Sequence, residues 1–198
     1  MVAIIDYEMG NVGSVQKALN FLDIPSLLTR SKEEIEQANY IILPGVGAFK
    51  QGMENLYRLG LIPVLNEEVL VKKKPILGIC LGMQLLATKG TEIENCVGLD
   101  YLEGVQTKIQ EENRIIPHLG WNNIKINSGD PLSQFDQRDF YFIHSFHFKV
   151  KNPKHIIGTV NYGRDYVAVV RKENIMGVQF HPEKSQNFGL DMLSLILT

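Results

Sequence analysis

Pro75-Ile76-Leu77-Gly78-Ile79-Cys80-Leu81-Gly82-Met83-Gln84 passes from an apolar run into a helix-favouring run, with one cysteine at the junction and a glycine two positions to either side. This is the strand, sharp turn and helix order of a nucleophile elbow, with cysteine in the serine position. A side chain presented at such a turn crowds the flanking backbone, which glycine tolerates because it has no β-carbon. Cys80 then stands at a helix amino terminus, where the positive end of the dipole favours thiolate, the attacking species. A random cysteine is better read as a small buried hydrophobe, but the elbow pattern reverses that preference.

Upstream of the elbow, apolar strand-like runs alternate with helical patterns. Val2 to Asp6 suits a buried strand and Asn11 a helix cap, and Val12, Val15, Ala18, Leu19 and Leu22 recur at helical spacing. Ser26 to Thr29 and Tyr40 to Leu43 read as strands, with a polar helix from about Ser31 between them and further helical segments after Gly52. Lys72, Lys73 and Lys74 close the last of these helices, where cations complement its dipole. Downstream, Gly104 to Ile109, Trp121 to Ile126, Phe140 to Ser145, His155 to Asn161, Tyr166 to Arg171 and Ile175 to Phe180 are strand-like. An amphipathic helix follows around Leu190 to Leu197. The expected fold is α/β: one domain over residues 1–198, with an open, mostly parallel or mixed sheet flanked by helices.

Composition narrows the function classes. The 198 residues are 44% hydrophobic and 21% charged, enough for one sizeable core. Twenty basic residues offset by 22 acidic ones give a net charge of −2, which provides no electrostatic reason to expect nucleic acid. Two cysteines, Cys80 and Cys96, form no disulfide framework and suit a reducing compartment. With no basic leader and no long apolar stretch, a cytoplasmic protein without membrane insertion is expected. Cys96 has neither elbow nor base beside it and is assigned to packing.

A cysteine nucleophile needs a base, and of the five histidines His181 is the candidate. It ends the run from Ile175, and Pro182 biases it towards an extended backbone that projects the ring. Glu183, two residues on, can approach the imidazole from behind and fix its tautomer. His144 and His147 suggest a metal pair, but three-residue spacing on one strand sends them to opposite faces with no further ligands, so no metal is expected. Pro44-Gly45-Val46-Gly47-Ala48-Phe49 follows a strand but lacks the third glycine of a dinucleotide fingerprint, because residue 50 is lysine. Its backbone N–H groups could instead join that of Leu81 in an oxyanion hole.

Gly78-Ile79-Cys80-Leu81-Gly82-Met83-Gln84 together with Gln179-Phe180-His181-Pro182-Glu183-Lys184-Ser185 resembles the class I, triad-type glutamine amidotransferases. Asp6 to Asn11, Pro44 to Phe49, Pro117 to Asn122 and Tyr141 to Phe146 are similar to the glutaminase subunits of imidazole glycerol phosphate synthases. The resemblance spans nearly the whole chain and implies a flavodoxin-like fold of the class I amidotransferase kind. It implies Cys80 as nucleophile, His181 as base and acid, Glu183 as orienter, and the amides of Val46 and Leu81 as oxyanion hole. Gly47, Gln84, Glu92, Ser145 and Phe146 would hold glutamine, and Asn11, Trp121, Tyr141 and Lys184 would face a (β/α)₈-barrel cyclase on another chain. No cofactor is implied. Glu8, Leu119 and Phe146 stand where glycine, methionine and tyrosine are usual. The triad also suits a paralogous glutaminase serving another synthase, for example one that aminates a surface sugar.

Overall fold

Each apolar run of the first half forms a strand, and the alternation of its side chains between two cores places helices on both faces of one sheet. The computed structural model describes residues 1–92 and 94–198. β1 (Val2–Ile5), β2 (Ser26–Thr29), β3 (Tyr40–Leu43) and β4 (Ile76–Ile79) alternate with α1 (Val12–Phe21), α2 (Lys32–Gln37), α3 (Phe49–Arg58) and α4 (Leu61–Asn66). A π-helical turn over Glu67–Val71 prolongs α4, and α5 (Leu81–Leu85) follows β4 with only Cys80 between. Then come β5 (Ala87–Gly90), β6 (Cys96–Val97), β7 (Leu102–Lys108), β8 (His118–Ile126), β9 (Asp139–His144), β10 (Phe146–Val150), β11 (Ile156–Asn161), β12 (Asp165–Lys172), β13 (Ile175–Val178) and α6 (Gln186–Leu197).

The large sheet has the order β2-β1-β3-β4-β13-β12-β11-β8-β9. Pairing is parallel from β2 to β13 and antiparallel from there to β9. Val2, Ile4, Ile42, Leu77 and Ile79 pack on one side with Val15, Leu19, Met192 and Leu193 of α1 and α6. Ile5, Ile41, Leu43 and Ile76 pack on the other with Phe49, Leu56 and Leu65 of α3 and α4. Strands buried on both faces read as continuous apolar runs, which is why these were easy to find.

Four details differ from the sequence reading. A second sheet, ordered β10-β7-β5-β6, packs beside the first; β5 is short and partly polar and β6 has only two residues, so neither signals itself. Asn11 precedes α1, but its side chain makes no cap hydrogen bond. α3 begins at Phe49 rather than after Gly52. Gly52 instead lies inside α3, where a β-carbon would be 3.2 Å from Leu85 of α5, so its smallness serves helix contact. The π-helical turn ends at Val71, and Lys72 and Lys74 each reach the buried carboxylate of Glu68 at 2.6 Å, so these lysines neutralise an interior charge as well as ending the helix. Ser31 does cap α2, accepting from the Glu34 N–H at 3.3 Å.

Register brings the distant motifs together. Ile79 of β4 pairs with Val178 of β13, so the residues just beyond each strand, Cys80 and Gln179 to His181, emerge side by side. On the opposite flank Leu43 of β3 pairs with Gly78, which delivers the Pro44 to Phe49 loop to the same edge. The carboxyl ends of adjacent parallel strands are where open α/β sheets gather a site.

Candidate active site

Cys80 has φ 53° and ψ −108°, a left-handed backbone that a side chain rarely adopts. The two glycines make the turn possible. A β-carbon on Gly78 would lie 2.7 Å from the Gly82 carbonyl oxygen, and one on Gly82 would lie 1.7 Å from the Leu43 carbonyl oxygen. Cys80 is 5% exposed and borders a pocket of about 440 Å³. Its thiol lies 3.9 Å from the Ile143 carbonyl oxygen and receives a hydrogen bond from Gln179 Nε2 at 3.7 Å.

His181 follows β13 and is buried. Its backbone N–H donates to the Tyr141 carbonyl at 2.9 Å, and the His181 carbonyl accepts from Ser185 Oγ at 2.6 Å. The ring is oriented from one side: Nδ1 donates to Glu183 Oε1 at 2.8 Å, and Nε2 has no nitrogen or oxygen partner among the described residues. Burial opposes a charged ring, but hydrogen bonding to Cys80 and Glu183 and the charges of both outweigh it. The ring is raised from 6.5 to about 9. At neutral pH it is an imidazolium facing the cysteine.

The pocket is lined by Val46, Gly47, Leu81, Gln84, Glu92, Ser145, Phe146 and Lys184 of the expected residues, with Pro117, Ile143 and His144 in addition. Glu92 is anchored across the fold, accepting from the Phe49 N–H at the start of α3 at 2.7 Å. Gln84 is committed inward. Its Nε2 donates to the Phe146 carbonyl at 3.1 Å and to Gln179 Oε1 at 3.0 Å, so it shapes the pocket wall through its neighbours. Gln179 is the residue that sequence reasoning passed over. It lies next to the elbow cysteine across the β4–β13 pair, and only register could reveal that.

The Val46 and Leu81 amides both border the pocket, yet in this conformation they form no hole. The Leu81 N–H donates to the Gly45 carbonyl at 3.2 Å. In a trans peptide C=O and N–H point in opposite directions, so the Val46 N–H is turned away from the Leu81 amide. Turning the Gly45–Val46 peptide over would release the first amide and aim the second inward. The β1–α1 loop leans on this peptide: a β-carbon on Gly10 would come 2.9 Å from Gly45 Cα and 3.1 Å from the Val46 nitrogen. Glu8 of that loop sits at φ 64°, which accounts for glycine being usual there, and it is held by ion pairs to Arg30 and Arg58.

His144 and His147 do not share a strand. The chain breaks at Ser145, sending His144 to the large sheet and His147 to the small one. His144 Nδ1 donates to the Phe146 carbonyl at 2.8 Å, and its Nε2 accepts from His118 Nδ1 at 3.0 Å. Burial lowers both rings, to about 3 and about 4, so they are neutral and settle the Ser145–Phe146 wall. On the outer face of the β8–β9 pair, Leu119 stands opposite Ile143 and Trp121 opposite Tyr141. Leu119, Trp121 and Ile143 are 59%, 48% and 40% exposed, an apolar strip whose Ile143 end borders the pocket. Asn11 is exposed at the start of α1.

The family model for class I glutamine amidotransferases matches residues 3–195. Imidazole glycerol phosphate synthase subunit HisH 1 of Campylobacter jejuni (serotype O:23/36, strain 81-176) is 46% identical over 196 residues, covering 98% of this chain and 97% of its own. Subunit HisH of Oceanobacillus iheyensis is 45% identical over 195 residues, covering 98% and 96%. Among solved structures, a glutamine amidotransferase crystal structure superposes with a TM-score of 0.77 at 18% identity, covering 100% of both chains. PurLQS from Thermotoga maritima gives 0.74 at 18% identity, covering 99% and 96%; these likenesses concern the fold alone. The chain belongs to the class I glutamine amidotransferase family, and these relatives place it among the glutaminase subunits of imidazole glycerol phosphate synthase. Among the described residues no helix is long and apolar enough to cross a membrane.

Proposed function

We propose that the chain hydrolyses glutamine through a thioester at Cys80 and passes the ammonia directly to a separate (β/α)₈-barrel cyclase subunit, which forms imidazole glycerol phosphate and AICAR in histidine biosynthesis. The observation that carries this reading is the strained elbow cysteine facing a buried, Glu183-held imidazolium at the edge of a pocket bordered by Ile143 of an exposed apolar strip.

The thiolate attacks the side-chain amide carbon, a C–S bond forms, and the carbonyl electron pair moves to oxygen. Collapse breaks the C–N bond as His181 gives its proton to the leaving nitrogen, releasing ammonia. Acylation removes the negative charge from sulfur, and with it one cause of the raised imidazole. The ring, now neutral, takes a proton from water as that water attacks the thioester, and the thiolate departs, leaving glutamate. Glu92, fixed on α3, would receive the α-ammonium of glutamine. Gly47, Ser145 and Phe146 would hold the rest of it through the pocket wall, with Gln84 supporting Phe146 from behind.

Ammonia released into bulk water takes up a proton and loses its nucleophilicity, so the product has to be handed on. Asn11, Trp121, Tyr141 and Lys184, with Leu119 and Ile143, would seat the cyclase over the pocket mouth. Tyr141 is also tied to the base, since its carbonyl accepts from the His181 N–H. A docked partner that shifts the β8–β9 edge or the β1–α1 loop would favour turnover of the Gly45–Val46 peptide, so that glutamine is consumed only when an acceptor is present. Mixing the chain with a barrel cyclase and its acceptor ligand is expected to give glutamine-dependent product. It should also raise glutaminase turnover by about 10²-fold or more, the worth of an oxyanion-hole donor. A high rate in the isolated chain, unchanged by either addition, contradicts the switch; active glutaminase without product assigns the ammonia to another acceptor.

The pH profile follows from the imidazolium. Because the ring is raised to about 9, its acid form persists through neutrality, and kcat/KM for glutamine should hold a plateau and fall only above about pH 9. The sign for stability is the same. A folded value above the unfolded 6.5 gives a contribution fully present below pH 6.5 and lost as pH rises through about 9. A fall in kcat/KM that begins near pH 6.5 would contradict the arrangement.

A further inference from the structure

The Tyr7 side chain is fully buried, and its hydroxyl has no hydrogen-bond partner among the described residues. Burial first, and then the charge of Cys80, pushes the phenol upward, so it remains a neutral donor through the working pH range. A buried hydroxyl without a partner is costly and calls for an explanation in the molecule's working cycle. Its position supplies one. A β-carbon on Gly45 would lie 2.1 Å from the Tyr7 oxygen and 3.0 Å from Leu81 Cβ, so the phenol and Leu81 both lie against Gly45.

We propose that Tyr7 is a positioning residue for the oxyanion hole, its hydroxyl donating to the Gly45 carbonyl when the Gly45–Val46 peptide turns over. This rests on the glutaminase reading above. In the observed conformation the Gly45 carbonyl accepts from the Leu81 N–H and Tyr7 is unpaired. In the turned conformation Leu81 is free for the oxyanion, and the displaced buried carbonyl needs a donor. The orphaned hydroxyl beside Gly45 is that donor, so one hydrogen bond is exchanged for another. The backbone that carries the phenol is fixed: the Tyr7 carbonyl accepts from Asn55 Nδ2 at 3.1 Å, and the Asp6 N–H donates to the Thr29 carbonyl at 2.9 Å. Tyr7 touches no reacting atom; it acts through the peptide.

The test is Tyr7→Phe in the complex with the cyclase and its acceptor ligand, with glutamine turnover and thermal unfolding measured in parallel. Removing one net hydrogen bond from the active conformation should lower kcat about tenfold while KM for glutamine changes less than about twofold. The unfolding midpoint of the isolated chain should stay level or rise, because the deleted hydroxyl satisfies nothing in the resting conformation. An unchanged kcat overturns the inference, and so does a lowered midpoint with a raised KM, the pattern of an ordinary packing residue. If the wild-type complex itself consumes no glutamine, the glutaminase reading fails and this inference with it, an outcome distinct from equal turnover by both proteins.

Discussion

Replacing Cys80 with alanine is expected to lower glutamine-dependent synthesis by at least about 10⁴-fold, the scale seen when a nucleophile is removed from a triad. Synthesis from added ammonium by the same complex should stay within about twofold of wild type, since the acceptor chemistry belongs to the cyclase. The size of the first effect follows from the site having no substitute. Sγ is the group at the elbow, and His181 and Glu183 are arranged to serve it. The alanine side chain is smaller and apolar at a 5% exposed position, so folding should be preserved. Steady-state rates with glutamine and with ammonium as alternative nitrogen sources check both halves. Comparable losses with both sources would mean that Cys80 supports the assembly rather than the chemistry.

Replacing Gly82 with alanine is the largest stability effect expected from a single methyl group. The added carbon would lie 1.7 Å from the Leu43 carbonyl oxygen and 2.7 Å from the Leu43 carbonyl carbon. Both are backbone atoms of a central strand and cannot swing aside like a flexible side chain. Relief requires α5 to lift from β3, which costs about 3 kcal/mol, at the upper end for overpacking. In a chain of this length that lowers the unfolding midpoint by roughly 10 °C. The lifted helix also carries Leu81 away from the oxyanion loop, so glutaminase activity should fall even below the transition. Unfolding followed by circular dichroism, with activity measured at a permissive temperature, tests both; a midpoint within about 2 °C of wild type would contradict the close approach.

These two residues also mark how much of the molecule is legible in its sequence. The elbow can be read because its constraint is local: strand, turn and helix lie within ten residues, and glycines two positions from a cysteine have few other uses. His181 and Glu183 are legible as a pair because two-residue spacing with an intervening proline is local too. Their meeting with Cys80 is not local. It depends on β4 and β13 being neighbours in the sheet, and a single sequence carries that only through family resemblance. Gln179 was passed over for the same reason, since its relation to the thiol is set by register.

The small sheet was missed on different grounds. β6 has two residues and β5 includes a lysine and a glycine, so neither has the apolar alternation that marks a strand. β10 begins one residue after β9 ends, and the sequence gives no sign that the break at Ser145 moves the chain from one sheet to another. The anchoring of Glu92 on the Phe49 N–H joins residues 43 positions apart through a helix start that the helical pattern after Gly52 does not mark. The state of the oxyanion loop lies beyond any pattern of residues. The same Pro44 to Phe49 sequence is compatible with either orientation of one peptide, and only the folded structure shows the Leu81 amide bound to Gly45.

The most direct test of the central claim is covalent trapping. The chain, alone and with the cyclase and its acceptor ligand, is treated with a glutamine-analogue electrophile, and the adduct is located by peptide mass mapping. The expected result is a single adduct on Cys80, formed faster in the complex, blocked by excess glutamine and absent from Cys80→Ala, with Cys96 unmodified. An unlabelled Cys80 in the active complex, or equal labelling of Cys80 and Cys96 that glutamine does not prevent, would contradict the assignment of Cys80 as the glutaminase nucleophile.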